Sequence, residues 1–273
     1  MRRVVTYGSR DVDLMTVAGR QLRYDVRVGD PRRTPLVLCC GIGAGLEVLQ
    51  PVVDELDGTV IRFDVPGVGG SPTALLPDGI PRLAWIVDRM LAELGHRQVD
   101  VLGLSWGGAL AQQLAFQHRR LVRRLVLVST GTGVLMVPGR PSTLFKMVTP
   151  RRFGDPSYAA GMAGYLYGGS ARRHADAIRT VFGRQAHAGS RRGYLYQLAA
   201  GACWTSLPFL PLIRQPTLVL TGDDDPIVPV VNGRILAGLI PNAELHIYPG
   251  GHVELVTEAP VLVPVITAFL TRP

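Results

Sequence analysis

Lysine, cysteine and long apolar runs are scarce in this chain, and each shortage argues against a class of protein. Lys146 is the only lysine among 29 basic residues, so the net charge of +8 comes from arginine. The arginines occur as scattered pairs and do not cluster with aromatic residues on one element, which argues against a nucleic-acid partner. The three cysteines, Cys39, Cys40 and Cys203, have no metal-type spacing, and their odd number leaves one unpaired. We expect reduced, mostly buried thiols, and neither a metal nor another cofactor.

No stretch approaches the roughly 18 uninterrupted apolar residues that a membrane span needs. The first residues, "MRRVVTYGSRDVDLM", include two arginines but lack the apolar segment of a secretory signal. We therefore expect a cytoplasmic protein without a transmembrane segment. With 273 residues and 47% hydrophobic content, one large α/β domain with an insertion fits better than two independent domains. The sequence leaves the oligomeric state open.

Short apolar runs alternate with longer amphipathic runs over most of the chain. The predicted strands are 22–28, 35–41, 59–67 (a strand that ends in a turn), 99–104, 123–130, 216–222 and 243–249. The predicted helices are 46–56, 82–95, 106–118, 232–240 and 259–270. Strands that alternate with helices imply crossover connections, hence a mostly parallel sheet with helices on both faces. The fold class is therefore α/β.

The region 131–214 breaks this alternation. It is rich in Gly, Pro, Met and aromatic residues, and it has too many apolar residues for a solvated linker. We therefore divide the chain into a core, 1–130 and 215–273, and a helical lid insertion, 131–214. Because ligands bind at the carboxyl ends of strands in open α/β sheets, this lid is expected to cover the site.

Ser105 lies at the junction of a predicted strand and a predicted helix, in the stretch "VDVLGLSWGGALAQQLA". A strand that turns at once into a helix strains the backbone at the turn, and Gly103 and Gly107 leave the space that such a turn needs. The serine hydroxyl is thereby raised above the sheet. The pattern predicts a nucleophile; a serine that only caps the helix is the alternative.

A serine hydroxyl needs a base to take its proton and an acid to orient that base. Among the six histidines, His252 follows "YPGG" directly after the last predicted strand, at the sheet edge where Ser105 must lie. The loop after the preceding strand, "TGDDDPIVP", carries Asp223, Asp224 and Asp225. We predict His252 as the base and Asp225 as the acid, with Asp223 or Asp224 as alternatives.

Two backbone N–H groups are candidates for binding the oxyanion of an ester transition state. The N–H of Trp106 opens the helix after Ser105, where it lacks an intrahelical partner and has the helix dipole behind it. The second candidate is Ile42, in the glycine-rich loop "CCGIGAG"; an ordinary strand-to-helix turn is the alternative. We interpret "FDVPGVGGS" as a tight turn at the edge of the site, with Asp64 bracing its backbone.

Several motifs together resemble the α/β-hydrolase superfamily and, within it, the intracellular depolymerases of medium-chain polyhydroxyalkanoates. They are "GIGAGLEVLQP", "FDVPGVGGSP", "GLSWGGALAQQLA", "VLMVPGRPSTLFKMVTPRR", "GYLYQLAAGACWTSLPFLP" and "GDDDPIVPVVNGRILAGLIP". The resemblance implies an α/β-hydrolase fold and a Ser105–Asp225–His252 triad. It also implies hydrolysis of a hydrophobic polyester of 3-hydroxy fatty acids at cytoplasmic granules. Where many hydrolases have His-Gly, this chain has Cys40-Gly41.

Other activities of the same fold stay open at this stage. A small-molecule esterase, lactonase or thioesterase, a perhydrolase and a carbon–carbon hydrolase would all use the same triad. A granule- or ligand-binding protein on a hydrolase scaffold is the non-enzymatic alternative. Dehalogenase and epoxide hydrolase chemistry is disfavoured, because it needs a carboxylate at the position of Ser105.

Overall fold

The computed structural model describes residues 3–7, 10–148, 161–172 and 189–273. In these ranges nine β-strands form one sheet. They are β1 Arg3–Tyr7, β2 Arg10–Val17, β3 Arg20–Arg27, β4 Leu36–Cys39, β5 Val60–Phe63, β6 Val99–Leu104, β7 Val122–Val128, β8 Thr217–Gly222 and β9 Ala243–Tyr248.

The strand order is β1-β2-β3-β5-β4-β6-β7-β8-β9. The first three strands are antiparallel, and β3 pairs antiparallel with β5; from β5 through β9 all neighbours are parallel. The carboxyl ends of β4, β6, β8 and β9 consequently meet at one edge of the sheet. The loops that carry all the predicted site residues follow these four strands.

Helices cover both faces of the sheet. The described helices are α1 Gln50–Asp54, α2 Ile80–Glu93, α3 Trp106–Gln117, α4 Pro141–Val148, α5 Ala163–Tyr167, α6 Arg191–Ala202, α7 Val230–Leu239, α8 Glu254–Thr257 and α9 Ala259–Leu270. Apolar residues of α2, α3 and α7 form one core layer, and those of α1, α8 and α9 form the other. In the central strand β6, Val101 belongs to the first layer and Leu102 to the second. This alternation explains why the strand is apolar throughout.

The predicted α/β-hydrolase fold is confirmed, with three differences in detail. The first predicted strand begins at residue 22, whereas β1 and β2 extend the sheet before it. The two-residue turn from β2 to β3 has positive φ at both Ala18 (51°) and Gly19 (76°), and alanine is an unusual residue for such a turn. The predicted strand 59–67 ends at Phe63, and the predicted helix 46–56 begins with a 3₁₀ turn, Leu46–Leu49.

The segment 131–214 contributes no strand to the sheet in its described part. It contains α4, α5 and α6, the 3₁₀ turns Gly169–Arg172 and Leu207–Leu212, and one isolated bridge between Gly133 and Thr205. The parts of the predicted lid at 149–160 and 173–188 lie outside the described residues. None of the described helices combines the length and apolar character needed to cross a bilayer.

The three cysteines are free thiols. Cys39 is buried as expected, and Cys40 is half-buried. The expectation of burial is wrong for Cys203, which is exposed because it follows the last turn of α6 at the surface.

Candidate active site

Ser105, His252 and Asp225 come from three different loops and form one hydrogen-bonded chain. The Oγ of Ser105 lies 2.8 Å from Nε2 of His252, and Nδ1 of His252 lies 2.7 Å from Oδ2 of Asp225. Because a carboxylate accepts, Nδ1 carries the proton, and Nε2 is left to accept the serine O–H. The structure therefore brings together the three side chains predicted as nucleophile, base and acid.

The turn at Ser105 is strained, as the sequence predicts. Its φ of 54° and ψ of −120° lie in a region that residues with a side chain rarely occupy. A Cβ at Gly103 would lie 2.5 Å from the carbonyl oxygen of Gly107, and a Cβ at Gly107 would lie 2.1 Å from that of Cys39. The expected need for glycine at both positions is thus confirmed.

Neighbouring strands hold this strained turn in place. The backbone N–H of Ser105 donates to the carbonyl of Val128 at 2.9 Å, and the hydroxyl of Thr130 donates to the carbonyl of Ser105 at 2.8 Å. Thr130 also lies directly against Gly108, where any Cβ would be 2.4 Å from its Oγ1. The end of β7 therefore fixes the backbone on both sides of the serine side chain.

The carboxylate of Asp225 is completely buried, and its charge is balanced by donors. While Oδ2 accepts from His252, Oδ1 accepts the backbone N–H groups of Ile227 and Val228 at 2.8 and 2.9 Å. Hydrogen bonds of this kind stabilise the ionised form of a carboxylate in a buried place. The ring of His252, whose side chain is 5% exposed, is held against a fixed negative charge.

The other two carboxylates of the aspartate run point away from His252. Asp223 accepts the backbone N–H of Gly250 at 3.0 Å. Asp224 accepts the backbone N–H of Gly169 at 2.9 Å and forms an ion pair with Arg172 at 2.6 Å. Of the three candidates left open by the sequence, the structure places Asp225 alone beside the imidazole.

The two predicted oxyanion donors lie at the same edge of the sheet, Ile42 in the loop after β4 and Trp106 at the start of α3. Trp106 is the first residue of α3, so its N–H has no acceptor within the helix. The N–H of Ile42 has no acceptor among the described residues. Gly41, directly before Ile42, brings this loop close to the serine: a Cβ at Gly41 would be 3.6 Å from Cβ of Ser105. Both N–H groups are therefore available to a ligand bound at the serine.

Comparison with known proteins identifies the family of this chain. A family model described as the alpha/beta hydrolase fold matches residues 34–184 and 192–259. The chain belongs to the α/β-hydrolase family. The poly(3-hydroxyalkanoate) depolymerase of Ectopseudomonas oleovorans is 47% identical to this hydrolase over 255 residues, which cover 93% of this chain and 90% of that protein. The resemblance inferred from the motifs is confirmed.

Solved structures show the same fold in more distant hydrolases. A hydrolase from Pseudomonas aeruginosa PA01 superposes with a TM-score of 0.82 at 23% identity, covering 97% of this chain and all of that one. The enol-lactonase from Burkholderia xenovorans LB400 superposes with a TM-score of 0.80 at 25% identity, covering 95% of this chain and all of that one.

The segment 163–172 of the hydrolase packs directly on the loops that carry the acid and the base. The backbone N–H of His252 donates to the carbonyl of Tyr167 at 2.7 Å, and the Tyr167 ring lies nearly parallel to the imidazole. The buried carboxylate of Glu254 accepts the backbone N–H groups of Ser170 at 3.0 Å and Gly251 at 3.2 Å. Sequence reasoning missed Tyr167 and Glu254, because neither lies in a recognisable motif.

Several other polar side chains of the hydrolase take part in local contacts away from the triad. Burial raises the pKa of the Cys40 thiol, which points at the carbonyl of Gly45. His118 contacts Asp88 at the end of α3, and His174 and His187 lie outside the described residues. Asp64 accepts the backbone N–H groups of Leu46 at 2.8 Å and Gly70 at 2.9 Å, as predicted for a brace.

No group of three or more His, Cys, Asp or Glu side chains in the described ranges could hold a metal ion.

Proposed function

We propose that the chain is a serine hydrolase that cleaves carboxylic esters through an acyl-enzyme intermediate. The observation that carries this proposal is the continuous chain of contacts from Ser105 Oγ through the His252 ring to Asp225, at 2.8 and 2.7 Å. These distances lie within the range needed for a general base and the group that orients it.

In the first step, His252 Nε2 takes the hydroxyl proton as Ser105 Oγ attacks the ester carbonyl carbon. The imidazolium that forms lies against Asp225, which stays ionised and stabilises it. The carbonyl oxygen becomes an oxyanion, to which the N–H groups of Trp106 and Ile42 donate. Collapse of this tetrahedral species breaks the bond to the leaving alcohol, which takes the proton from Nε2.

In the second step, water replaces the alcohol at the same site. His252 Nε2 takes a proton from the water as its oxygen attacks the acyl carbon on Ser105. A second oxyanion forms and collapses, the bond to Ser105 Oγ breaks, and the serine recovers its proton from Nε2. The products are one carboxylic acid and one alcohol, so for a polyester of hydroxy acids each cleavage leaves a free acid end and a free hydroxyl end.

The proposed substrate is a polyester of medium-chain 3-hydroxy acids, or its oligomers. The 47% identity to a poly(3-hydroxyalkanoate) depolymerase supports this choice. An insoluble polyester in the cytoplasm requires the protein to act at a granule surface. Seven large apolar side chains in the described part of 131–214 are 41–70% exposed: Val134, Leu135, Val137, Phe145, Tyr165, Leu195 and Leu212. An exposed apolar surface of this kind suits adsorption to a hydrophobic polymer.

The segment 131–214 is proposed as the lid over this site. Tyr167 and Ser170 contact the loops that carry His252 and Glu254, which supports a position above the triad. Apolar residues of this segment also pack on Ile227 and Val228, directly beside Asp225.

The test is release of 3-hydroxy acids from polyester granules by purified protein. Granules of medium-chain polyester should be hydrolysed, and granules of short-chain polyester should be hydrolysed more slowly or not at all. Ser105→Ala should lower the rate by at least about 10⁴-fold. Ser206→Ala is the control, because it makes the same change at a buried serine whose hydroxyl has no partner among the described residues.

The other activities of the fold give different results in the same assay. Turnover of small esters or lactones without release of acid from granules would assign a small-molecule hydrolase and refute the polyester substrate. Peracid formation or cleavage of diketones without ester turnover would refute ester hydrolysis itself. A protein that binds granules but shows no turnover and no labelling by a fluorophosphonate would refute the enzymatic proposal.

A further inference from the structure

Gln197, in the middle of α6, contacts both loops that carry the proposed oxyanion donors. Its side-chain Oε1 accepts the backbone N–H of Gly43 at 2.8 Å. Its main-chain carbonyl accepts the indole Nε1–H of Trp106 at 2.9 Å. Gln197 is 4% exposed, and its two partners, Gly43 and Trp106, are half-buried. One residue of the insertion is thereby tied to the loop after β4 and to the first residue of α3.

The face of α6 that carries Gln197 lies unusually close to the core. Gly193, Gln197 and Gly201 are four residues apart and share one side of the helix. A Cβ at Gly193 would lie 2.1 Å from the carbonyl oxygen of Gly67, and a Cβ at Gly201 would lie 3.4 Å from Nε1 of Trp106. Gly193 lets the helix backbone approach Gly67 one turn before Gln197, and Gly201 makes ordinary van der Waals contact with the Trp106 ring one turn after it. Both contacts help to fix the position of Gln197.

The loop after β4 has few anchors of its own near Ile42. Gly43 has a φ of 68°, and the N–H of Ala44 makes only a local turn with the carbonyl of Gly41 at 3.2 Å. The N–H of Gly43 belongs to the peptide unit that directly follows Ile42. Holding that peptide unit in place limits the rotation of Ile42 and hence the direction of the Ile42 N–H.

We infer that Gln197 is a positioning residue that orients the two oxyanion donors, acting on Ile42 through Gly43 and on Trp106 through its indole ring. This inference rests on the proposed function. It predicts that loss of the Gln197 side-chain acceptor weakens binding of the oxyanion more than binding of the substrate. Oxyanion donors act by preorganisation, so a donor that points in the wrong direction loses most of its effect.

The test compares Gln197→Met with wild type. Methionine has a similar length and fills the same space, but it cannot accept a strong hydrogen bond from Gly43. With p-nitrophenyl octanoate, and with rates normalised by active-site titration, kcat should fall by about 10- to 100-fold, with KM unchanged. The inhibition constant of octylboronic acid, which forms a tetrahedral adduct on the serine, should rise by the same factor as kcat/KM falls.

Gln215→Met is the matched control, because Gln215 is also buried and its side chain donates to the backbone carbonyl of Ala115 at 2.8 Å. Gln215 lies just before β8, at the opposite edge of the sheet from Ser105. The Gln215→Met substitution should lower the melting temperature without changing kcat or boronate binding.

Trp106→Phe provides a second variant if Gln197→Met does not fold. It removes the indole N–H, keeps an aromatic ring and keeps the main-chain N–H, and it should lower kcat and boronate affinity together. If Gln197→Met folds, or if Trp106→Phe is used in its place, a kcat per titrated active site and a boronate affinity equal to those of wild type would overturn the inference. The proposed function would still stand. A wild-type protein that shows neither ester turnover nor fluorophosphonate labelling would overturn both.

Discussion

The carboxylate of Glu254 accepts the backbone N–H of Ser170 at 3.0 Å, and this contact joins the segment 163–172 to the loop that carries His252. The same carboxylate accepts the N–H of Gly251, the residue directly before His252. Glu254 is only 3% exposed. One buried side chain therefore holds both the loop that carries His252 and the segment 163–172.

Glu254→Gln should therefore reduce both stability and turnover. An amide has only one acceptor oxygen, so one of the two N–H groups would face an NH₂ donor. A buried donor left unpaired costs about 1–3 kcal/mol in the free energy of unfolding. Urea unfolding and ester turnover measure the two effects. Glu258→Gln, which makes the same change in a half-buried side chain with no partner among the described residues, should leave both unchanged. Equal effects of the two substitutions would contradict the role of Glu254.

Asp225→Asn should abolish most of the activity while leaving the fold intact. Asparagine would present an amide to His252 Nδ1, which favours the wrong tautomer and removes the charge that stabilises the imidazolium. We expect kcat to fall by about 10⁴-fold, as the corresponding change does in a serine protease. Asp223→Asn and Asp224→Asn are the controls, because their carboxylates contact Gly250 and Arg172. A similar loss of activity in either control would show that Asp225 is not the only aspartate on which His252 depends, and would contradict its assignment as the acid.

Much of the site could be predicted because its chemistry is local in sequence. The strand, the glycines, Ser105 and the helix all fall within one stretch, and His252 and Asp225 follow the ends of recognisable strands. Gln197 and Glu254 could not be found in this way. Their partners Gly43 and Ser170 lie 154 and 84 residues away along the chain, so only the folded structure brings them together.

The fold was predictable to a similar degree. Strands buried on both faces, such as β6, give continuous apolar runs that stand out in the sequence. The amino-terminal strand β2 was missed because it lies at the margin of the sheet and its turn to β3 uses Ala18 instead of the usual turn residues.

Gly107→Ala should prevent folding, whereas Gly238→Ala should be tolerated. A Cβ at Gly107 would lie 2.1 Å from a backbone oxygen of Cys39, which cannot move without disrupting β4. Gly238 lies in α7, and a Cβ added there would meet no atom within 4 Å, so alanine should stabilise the protein by about 0.5–1 kcal/mol. Yield of soluble protein and the melting temperature measure the outcome. A soluble, active Gly107→Ala protein would contradict the close packing described for the turn at Ser105.

The stability of the protein should depend on the ionisation of Asp64. Burial raises the pKa of the Asp64 carboxyl to about 6 from an ordinary 3.8, although Arg23 lies 2.8 Å away and opposes the shift; Glu47 adds to it. The native state therefore binds this proton more tightly than the unfolded state does. The contribution of Asp64 to the free energy of unfolding is fully present below about pH 4 and is lost as the pH rises through about 6, by on the order of 2–3 kcal/mol.

Urea unfolding of wild type and Asp64→Asn between about pH 4 and about pH 7 measures this contribution, because asparagine does not titrate. The free energy of unfolding of wild type, relative to that of the variant, should decrease as the pH rises through this window. A difference that stays constant, or that increases with pH, would show that the carboxyl does not take up a proton in the native state.

Mapping the adduct of a fluorophosphonate by mass spectrometry identifies the nucleophile. One adduct is expected, on the peptide that contains Ser105; it should be absent in Ser105→Ala and should form far more slowly in His252→Ala. An adduct on another residue, or ester turnover at the wild-type rate in Ser105→Ala, would contradict Ser105 as the nucleophile.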